Sequence, residues 1–193
     1  MPDIVDPEVR VLATISLQLQ ADYAVAEDTW KGSPFEWILA RPSRQKGAIA
    51  ERLIAGWLAA RSFNVTRSGD SEADRCIEGK RVEIKFSTLW QSGTYTFQQF
   101  RDQSYDFAIC LGISPFDAHC WVLAKEEILM RWRETHDMAS QHGGASGSDT
   151  AWLSVDPNAV PDWLRPFGGT LREGLEQVSR LTGFTPSFDR EAE

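Results

Sequence analysis

A short charged segment flanked by apolar residues constrains the fold of this chain most strongly. Residues 81–87 read RVEIKFS, in which polar and apolar side chains alternate. This period of two predicts a strand with one buried face, so Glu83 and Lys85 lie side by side on the other face. Just upstream, Glu78-Gly79-Lys80 suits a hairpin turn, and residues 74–77 are predicted as the preceding strand. Folding the hairpin back brings Asp74 close to Glu83.

The charges on this predicted hairpin fit two different accounts. Asp74 and Glu83 would converge beside the ammonium group of Lys85. Two carboxylates at close range repel each other, and a divalent cation with oxygen ligands relieves that repulsion. The lysine can then orient a water or stabilise charge that develops on a phosphate. A surface hairpin with alternating salt bridges has the same spacing and no chemistry, and the spacing alone leaves both accounts open.

The segment before the hairpin is predicted to be a helix over residues 46–61. Its apolar side chains recur at helical spacing, on a stripe broad enough to cover a sheet. The stripe consists of Ile49, Ala50, Leu53, Ile54, Trp57 and Leu58. Glu51 falls at the border of this stripe. On its own it is explained as an ordinary helix-edge carboxylate, paired with Arg52 or Arg61. Residues 62–68 predict a turn and a strand that lead into the hairpin.

The order of these elements resembles the core of the PD-(D/E)xK phosphodiesterase superfamily, which includes restriction endonucleases and archaeal-type Holliday junction resolvases. The residues that carry the resemblance are Asp74, with Ala73 in place of the proline that names the motif, and Glu83-Ile84-Lys85. The glutamate-bearing helix and the strand before them add to it. The resemblance covers roughly residues 46–113.

This resemblance implies a metal site and roles for its residues. Asp74 and Glu83 would hold Mg²⁺, with Mn²⁺ able to substitute, and Glu51 would add a ligand or position a metal-bound water. Lys85 would orient the attacking water. In related nucleases, polar residues after the ExK strand often lie near the scissile phosphate, so one of Gln98 and Gln99 would assist there, and Gln98 is taken as the candidate catalytic residue. Satisfying backbone groups explains that glutamine equally well.

The remaining pattern predicts an α/β fold with a central mixed β-sheet of about five strands flanked by helices. A single domain over residues 1–193 is expected, with a core at about 46–124 and a C-terminal extension at about 134–193 of unknown role. The other predicted elements are helices at 6–23, 125–133 and 171–181, strands at 105–113 and 118–124, an edge strand at 152–155, a loop at 141–150 and a frayed tail at 188–193. Residues 95–101 fit either a strand edge or the start of a helix.

Composition limits the partners of the chain. Lys and Arg number eleven between Arg41 and Arg101 against six Asp and Glu, so this stretch is basic within a chain of net charge −8. No stretch approaches the ~20 apolar residues of a membrane span, and the start Met1-Pro2-Asp3 is unlike a secretory signal. A cytoplasmic protein without a membrane partner is expected. The three cysteines and three histidines show no zinc spacing, and no Walker-type glycine loop indicates a nucleotide cofactor.

The sequence therefore favours a metal-dependent DNA endonuclease, of the type II restriction kind, that leaves 5′-phosphate and 3′-hydroxyl ends. Cutting both strands of a duplex usually takes two such sites, so a homodimer is expected. A Holliday junction resolvase or repair nuclease is the first alternative, since the same residue order fits it. A nuclease-fold module that binds DNA or protein without cutting is the second.

Overall fold

The chain folds into two β-sheets with helices packed on them. The computed structural model describes residues 9, 12–16, 29–141 and 149–186. The strands are β1 Val65–Arg67, β2 Arg75–Ile77, β3 Lys80–Thr88, β4 Tyr95–Phe100, β5 Phe107–Ile113, β6 Ala118–Ala124, β7 Ala139–Gln141, β8 Thr150–Val155 and β9 Gly168–Thr170. The helices are α1 Glu36–Leu39, α2 Ser43–Ala59, α3 Lys125–Arg133 and α4 Leu171–Thr182, with a 3-10 turn at Arg165–Phe167. Residues 9 and 12–16 are also helical.

The main sheet has six strands in the order β1-β2-β3-β5-β6-β9. Strands β3 and β5 are parallel and all other neighbours are antiparallel, so the sheet is mixed. The predicted α/β fold class is confirmed. The sixth strand, β9, is three residues long and pairs with the start of β6, which is why the sequence pattern gave about five strands.

The second sheet is a difference from the prediction. Strands β4, β8 and β7 form a separate antiparallel sheet in that order. Residues 95–101, which fitted strand or helix, are therefore mostly strand, and the edge strand predicted at 152–155 lies in the middle of this sheet. The C-terminal extension thus supplies strands to both sheets. The predicted helix at 6–23 lies mostly outside the described residues, and so do most of the predicted loop at 141–150 and the whole of the tail at 188–193.

The β2–β3 hairpin forms as the sequence predicted. Glu78 and Gly79 have φ values of 48° and 79°, and this left-handed pair produces the two-residue turn whose twist matches the flanking strands. The turn is held to the start of β1, because the backbone N–H of Asn64, the residue before that strand, donates to the Glu78 carboxylate at 2.6 Å. Its register pairs Arg75 with Val82, which fixes every side chain of β3 relative to β2.

Helix α2 covers one face of the main sheet with the predicted stripe. Ala50, Ile54 and Leu58 are fully buried against the core that also contains Val82 and Ile84 of β3. A second core lies under the small sheet. The predicted C-terminal helix at 171–181 forms as α4, which begins at a capping box between Thr170 and Glu173 and is followed by Gly183, whose φ is 73°. Within the described ranges, no helix combines the length and apolar character needed to cross a bilayer.

Candidate active site

Asp74 lies directly across from Glu83 on the β2–β3 hairpin. The Asp74 backbone N–H donates to the carbonyl of Val82 at 3.0 Å, and the Ile84 backbone N–H donates to Asp74 Oδ2 at 2.7 Å. The aspartate side chain therefore folds over the neighbouring strand at the level of Glu83. The position of Asp74 opposite Glu83 is set by the register of the hairpin, and the hydrogen bond of the Asp74 side chain adds to it. The proximity of the two residues follows as the sequence predicted.

Glu83 and Lys85 lie on the same face of β3 and form a largely buried ion pair. Lys85 Nζ is 2.6 Å from Glu83 Oε1, and the two side chains are 11% and 13% exposed. Burial raises the pKa of Glu83 above its ordinary value, although Lys85 opposes this and Asp74 adds to it. Such weakly exposed charges are unlike the solvated salt bridges of an ordinary surface hairpin. The surface-hairpin account of this segment is therefore not supported.

Glu51 on α2 reaches the same region. Its carboxylate pairs with Arg75 of β2, with Arg75 Nη2 3.1 Å from Glu51 Oε2, instead of pairing with Arg52 or Arg61. Burial raises the pKa of Glu51, and repulsion from Asp74 and from Glu83 raises it further. Glu51 is therefore within electrostatic reach of both hairpin carboxylates. The helix and the two strands thus bring the three predicted carboxylates within electrostatic reach of one another.

The donor chemistry of this cluster fits a hard divalent cation, while its present geometry is not a closed metal site. No three His, Cys, Asp or Glu side chains of the described ranges converge as metal ligands. The carboxylates are engaged by the Ile84 N–H, Lys85 and Arg75. A divalent cation would relieve the repulsion that raises the pKa of two of them. Binding would require Glu51 and Glu83 to exchange their cationic partners for the metal.

Lys85 is held by a contact that the sequence did not indicate. Its Nζ donates to the backbone carbonyl of Gln99 at 2.8 Å and lies 5.4 Å from the centre of the Phe100 ring. Gln99 has a φ of 61° and sits in an irregularity of β4 between Phe97 and Phe100. This bulge turns the carbonyl towards the lysine. A non-glycine residue with positive φ leaves no clear sequence signal, so the contact could not be foreseen.

Gln98, the predicted catalytic glutamine, lies in the same bulge. Its side chain is half-buried and makes no hydrogen bond within the part of the chain that the structure describes. Gln98 is the neighbour in sequence of Gln99, which contacts Lys85. The side-chain amide of Gln98 itself contacts neither Glu83 nor Lys85. The ammonium group of Lys85 is instead bound by the backbone carbonyl of Gln99.

Two further residues near Glu83 were not singled out from the sequence. Arg101, just after β4, is close enough to lower the pKa of Glu83. Tyr105 is buried, and its hydroxyl has no hydrogen-bond partner among the described residues. Burial raises the pKa of this phenol, and the negative charge of Glu83 raises it further. Arg101 and Tyr105 belong to a turn between strands, where the sequence pattern carries little information about side-chain placement.

The chain is similar in fold to several solved structures. The chain is similar to the solved structure of a bacterial homing endonuclease, I-Ssp6803I, with a TM-score of 0.47 and 15% sequence identity. The match covers 74% of this chain and 94% of that chain. No protein-family model matches the sequence, and no curated protein matches it either. Similarity at this level does not establish a shared activity.

Proposed function

We propose that this protein is a metal-dependent DNA endonuclease of the PD-(D/E)xK type. The observation that supports it best is the placement of Asp74 opposite Glu83, with Lys85 two residues along the same face. Carboxylates with raised pKa values beside a fixed ammonium group are typical of a catalytic site. Glu51, brought in by a separate helix, completes the set that the resemblance implies.

The residues of the site would divide the work as follows. Asp74, Glu83 and Glu51 would hold Mg²⁺, which supplies Lewis-acid stabilisation of the phosphate and a more acidic bound water. Lys85 is restrained by the Gln99 carbonyl and the Phe100 ring, so its ammonium group is already oriented. It would orient the attacking water and stabilise the charge that develops on the phosphate. Gln98 would assist from the adjacent bulge.

The substrate and the assembly follow from the same proposal. The stretch from Arg41 to Arg101, which contains the residues of the site, is basic and would attract the DNA backbone within an otherwise acidic protein. We expect a type II restriction-like activity with 5′-phosphate and 3′-hydroxyl ends. We also expect a homodimer, since two sites are needed for a double-strand cut, and a cytoplasmic location.

The test is a cleavage panel of supercoiled plasmid, long linear duplex and a synthetic four-way junction, each with Mg²⁺ and with EDTA. The parent protein is compared with Lys85→Ala. Discrete duplex fragments that disappear with EDTA and in the variant are the expected result. Cutting of the junction alone would assign the protein to the resolvases. Absence of metal-dependent cutting on every substrate would overturn the nuclease proposal.

A non-catalytic DNA- or protein-binding module is the second candidate, and two observations favour it. The carboxylates of the site already have protein partners, and Trp37 and Trp90 expose half of their surface. Arg41 lies 5.9 Å from the Trp37 ring, which gives a cation beside an exposed aromatic. Binding of DNA in an electrophoretic shift assay, unchanged by Lys85→Ala and unaccompanied by cutting, would support this module over the nuclease.

A further inference from the structure

A cleft of about 450 Å³ opens next to the candidate active site, where β4 ends. It is lined by Arg101, Asp102, Gln103, Trp132, Arg133 and Asp149. These residues come from the turn after β4, from the end of α3 and from the position just before β8. A volume of this size accommodates a small planar ligand together with a charged group.

The cleft is connected to the site through the chain. Arg101 directly follows Phe100, the residue whose ring lies beside the Lys85 ammonium group. The charge of Arg101 also lowers the pKa of Glu83, so its guanidinium is within electrostatic reach of that carboxylate. Arg101 has no ion pair within the described ranges, which leaves its guanidinium available to a ligand. A molecule in the cleft would therefore lie beside a phosphate bound at Glu83 and Lys85.

The opposite wall of the cleft is held in place by a network. Asp102 accepts from Lys125 at 2.8 Å and from Arg133 at 3.0 Å. Arg133 in turn lies over the Trp132 ring, 5.1 Å from its centre, and the Trp132 indole N–H donates to Ser140 at 2.8 Å. The guanidinium of Arg133 is thus fixed against an aromatic surface. A flat, preorganised cationic group of this kind stacks well on a planar ring.

The lining offers the guanidinium group of Arg101 and the flat surface of Arg133. A nucleobase matches both, because its edge carries acceptors for a guanidinium group and its face can stack on Arg133, whereas inorganic phosphate has no planar face to stack. We propose that the cleft binds an unpaired nucleobase of the DNA, one that neighbours the scissile phosphate. This inference rests on the proposed nuclease function.

An unpaired base is implied because a base inside the duplex stack cannot enter a cleft of this kind. Extruding a base is easier where it is mismatched or already single-stranded. The cleft would therefore favour cutting beside such positions. The choice between regular duplex and distorted or branched DNA would then be made at Arg101 and Arg133, next to the residues that carry out the chemistry.

The first test is direct binding of the four deoxynucleoside 5′-monophosphates, followed by the tryptophan indole signals in ¹⁵N NMR spectra. The Trp132 indole signal is identified by its loss in Trp132→Phe. We expect a saturable shift of this signal and binding at least about fivefold weaker in Arg101→Ala, with partial recovery in Arg101→Lys. Inorganic phosphate at the same concentrations should leave the signal in place. An equal shift with phosphate alone, or no shift with any nucleotide up to solubility, would overturn the inference.

Lys85→Ala separates this inference from the proposed function. Lys85 does not line the cleft, so the variant should bind the free deoxynucleosides, which carry no phosphate, as the parent does, while its DNA cleavage is lost. Nucleotide binding without cleavage by the parent would reject the nuclease function and leave the cleft as a nucleobase site. Cleavage that depends on Lys85, with nucleotide binding unchanged in Arg101→Ala, would reject the cleft alone. Circular dichroism of each variant confirms that it is folded.

Discussion

Two charged clusters of this protein contain the same kinds of side chain and behave in opposite ways. The site cluster comprises Glu51, Asp74, Glu83 and Lys85. The Arg131 cluster, on and after α3, comprises Glu127, Arg131 and Asp137. In the second cluster Arg131 Nε lies 2.7 Å from Glu127 and its Nη1 lies 3.0 Å from Asp137. In the first, Lys85 is equally close to Glu83. The distances alone do not separate the two clusters.

The direction of the pKa shifts does separate them. In the Arg131 cluster, hydrogen bonds from Thr135 and Arg131 lower the pKa of Asp137, and the carboxylates raise the pKa of Arg131, so both charged forms are favoured. In the site cluster, burial and mutual repulsion raise the pKa of Glu51 and Glu83. The first cluster is electrostatically satisfied and the second is not. Unsatisfied charge that a fold retains is a mark of function.

The largest expected difference between the clusters is in catalysis. Lys85→Ala should lower DNA cleavage by about a thousand-fold, because it removes the group that orients the water and stabilises developing charge. Arg131→Ala is the matched control. It removes a cation with two ion pairs and a contact over the Trp163 ring, and should cost about 1 kcal/mol of stability with no loss of cleavage. Initial rates on one duplex substrate measure both. Equal losses would abolish the distinction.

The second difference is in the response to a divalent cation. At saturating Mg²⁺, the melting temperature of the parent should rise by roughly 5–10 °C, because a ligand at about a hundred times its dissociation constant stabilises a domain of this size by that amount. Asp74→Asn should remove most of the rise, and Asp137→Asn should leave it intact. Differential scanning fluorimetry with and without EDTA measures it. A rise that persists in Asp74→Asn would place the cation elsewhere.

The third difference is the sign of the pH dependence. The raised pKa of Glu51 means that the folded protein favours the protonated acid, so its contribution to stability is complete at acid pH and is lost as pH rises through the raised pKa. The lowered pKa of Asp137 gives the reverse, with stability lost as pH falls through the lowered value. Glu51→Gln should therefore reduce the loss of stability as pH rises. Asp137→Asn should reduce the loss of stability as pH falls.

Urea unfolding between pH 3 and pH 9 reads out these two slopes. Glutamine at position 51 can still accept a hydrogen bond from Arg75, so the variant changes the charge and keeps the contact. Experiments are done in EDTA, because a bound cation would itself lower the pKa of Glu51. If both substitutions change the pH dependence of the free energy of unfolding in the same direction, the two clusters do not differ as described.

The sequence predicted the parts of this site that depend on local periodicity. Alternation along β3 placed Glu83 and Lys85 on one face, and the Glu78-Gly79 turn set the register that puts Asp74 opposite Glu83. Helical spacing put Glu51 at the edge of the α2 stripe. Each of these follows from neighbours in the chain, where side-chain direction is fixed by the backbone.

The parts that the sequence did not predict depend on distant contacts. The Gln99 carbonyl reaches Lys85 through a bulge, and Glu51 pairs with Arg75 because a helix packs over a strand. The second sheet was missed because β4 pairs with β8, more than fifty residues later, and β4 alone fits helix as well as strand. Long-range pairing of this sort leaves no local pattern to detect.

The smallest expected effect compares two buried phenols. The Tyr105 hydroxyl, near Glu83, has no partner within the described ranges, whereas the Tyr95 hydroxyl is 3.0 Å from His119 Nδ1. Tyr105→Phe removes a buried group that gains nothing from its environment, so stability should hold or rise by up to about 1 kcal/mol. Tyr95→Phe removes a hydrogen bond and leaves His119 Nδ1 without this partner, so it should lower the free energy of unfolding by about 1 kcal/mol. Chemical denaturation of both variants in EDTA decides this. If Tyr105→Phe is destabilised as much as Tyr95→Phe, the Tyr105 hydroxyl of the parent makes a hydrogen bond. The repulsion around Glu83 is then smaller than the pKa directions indicate.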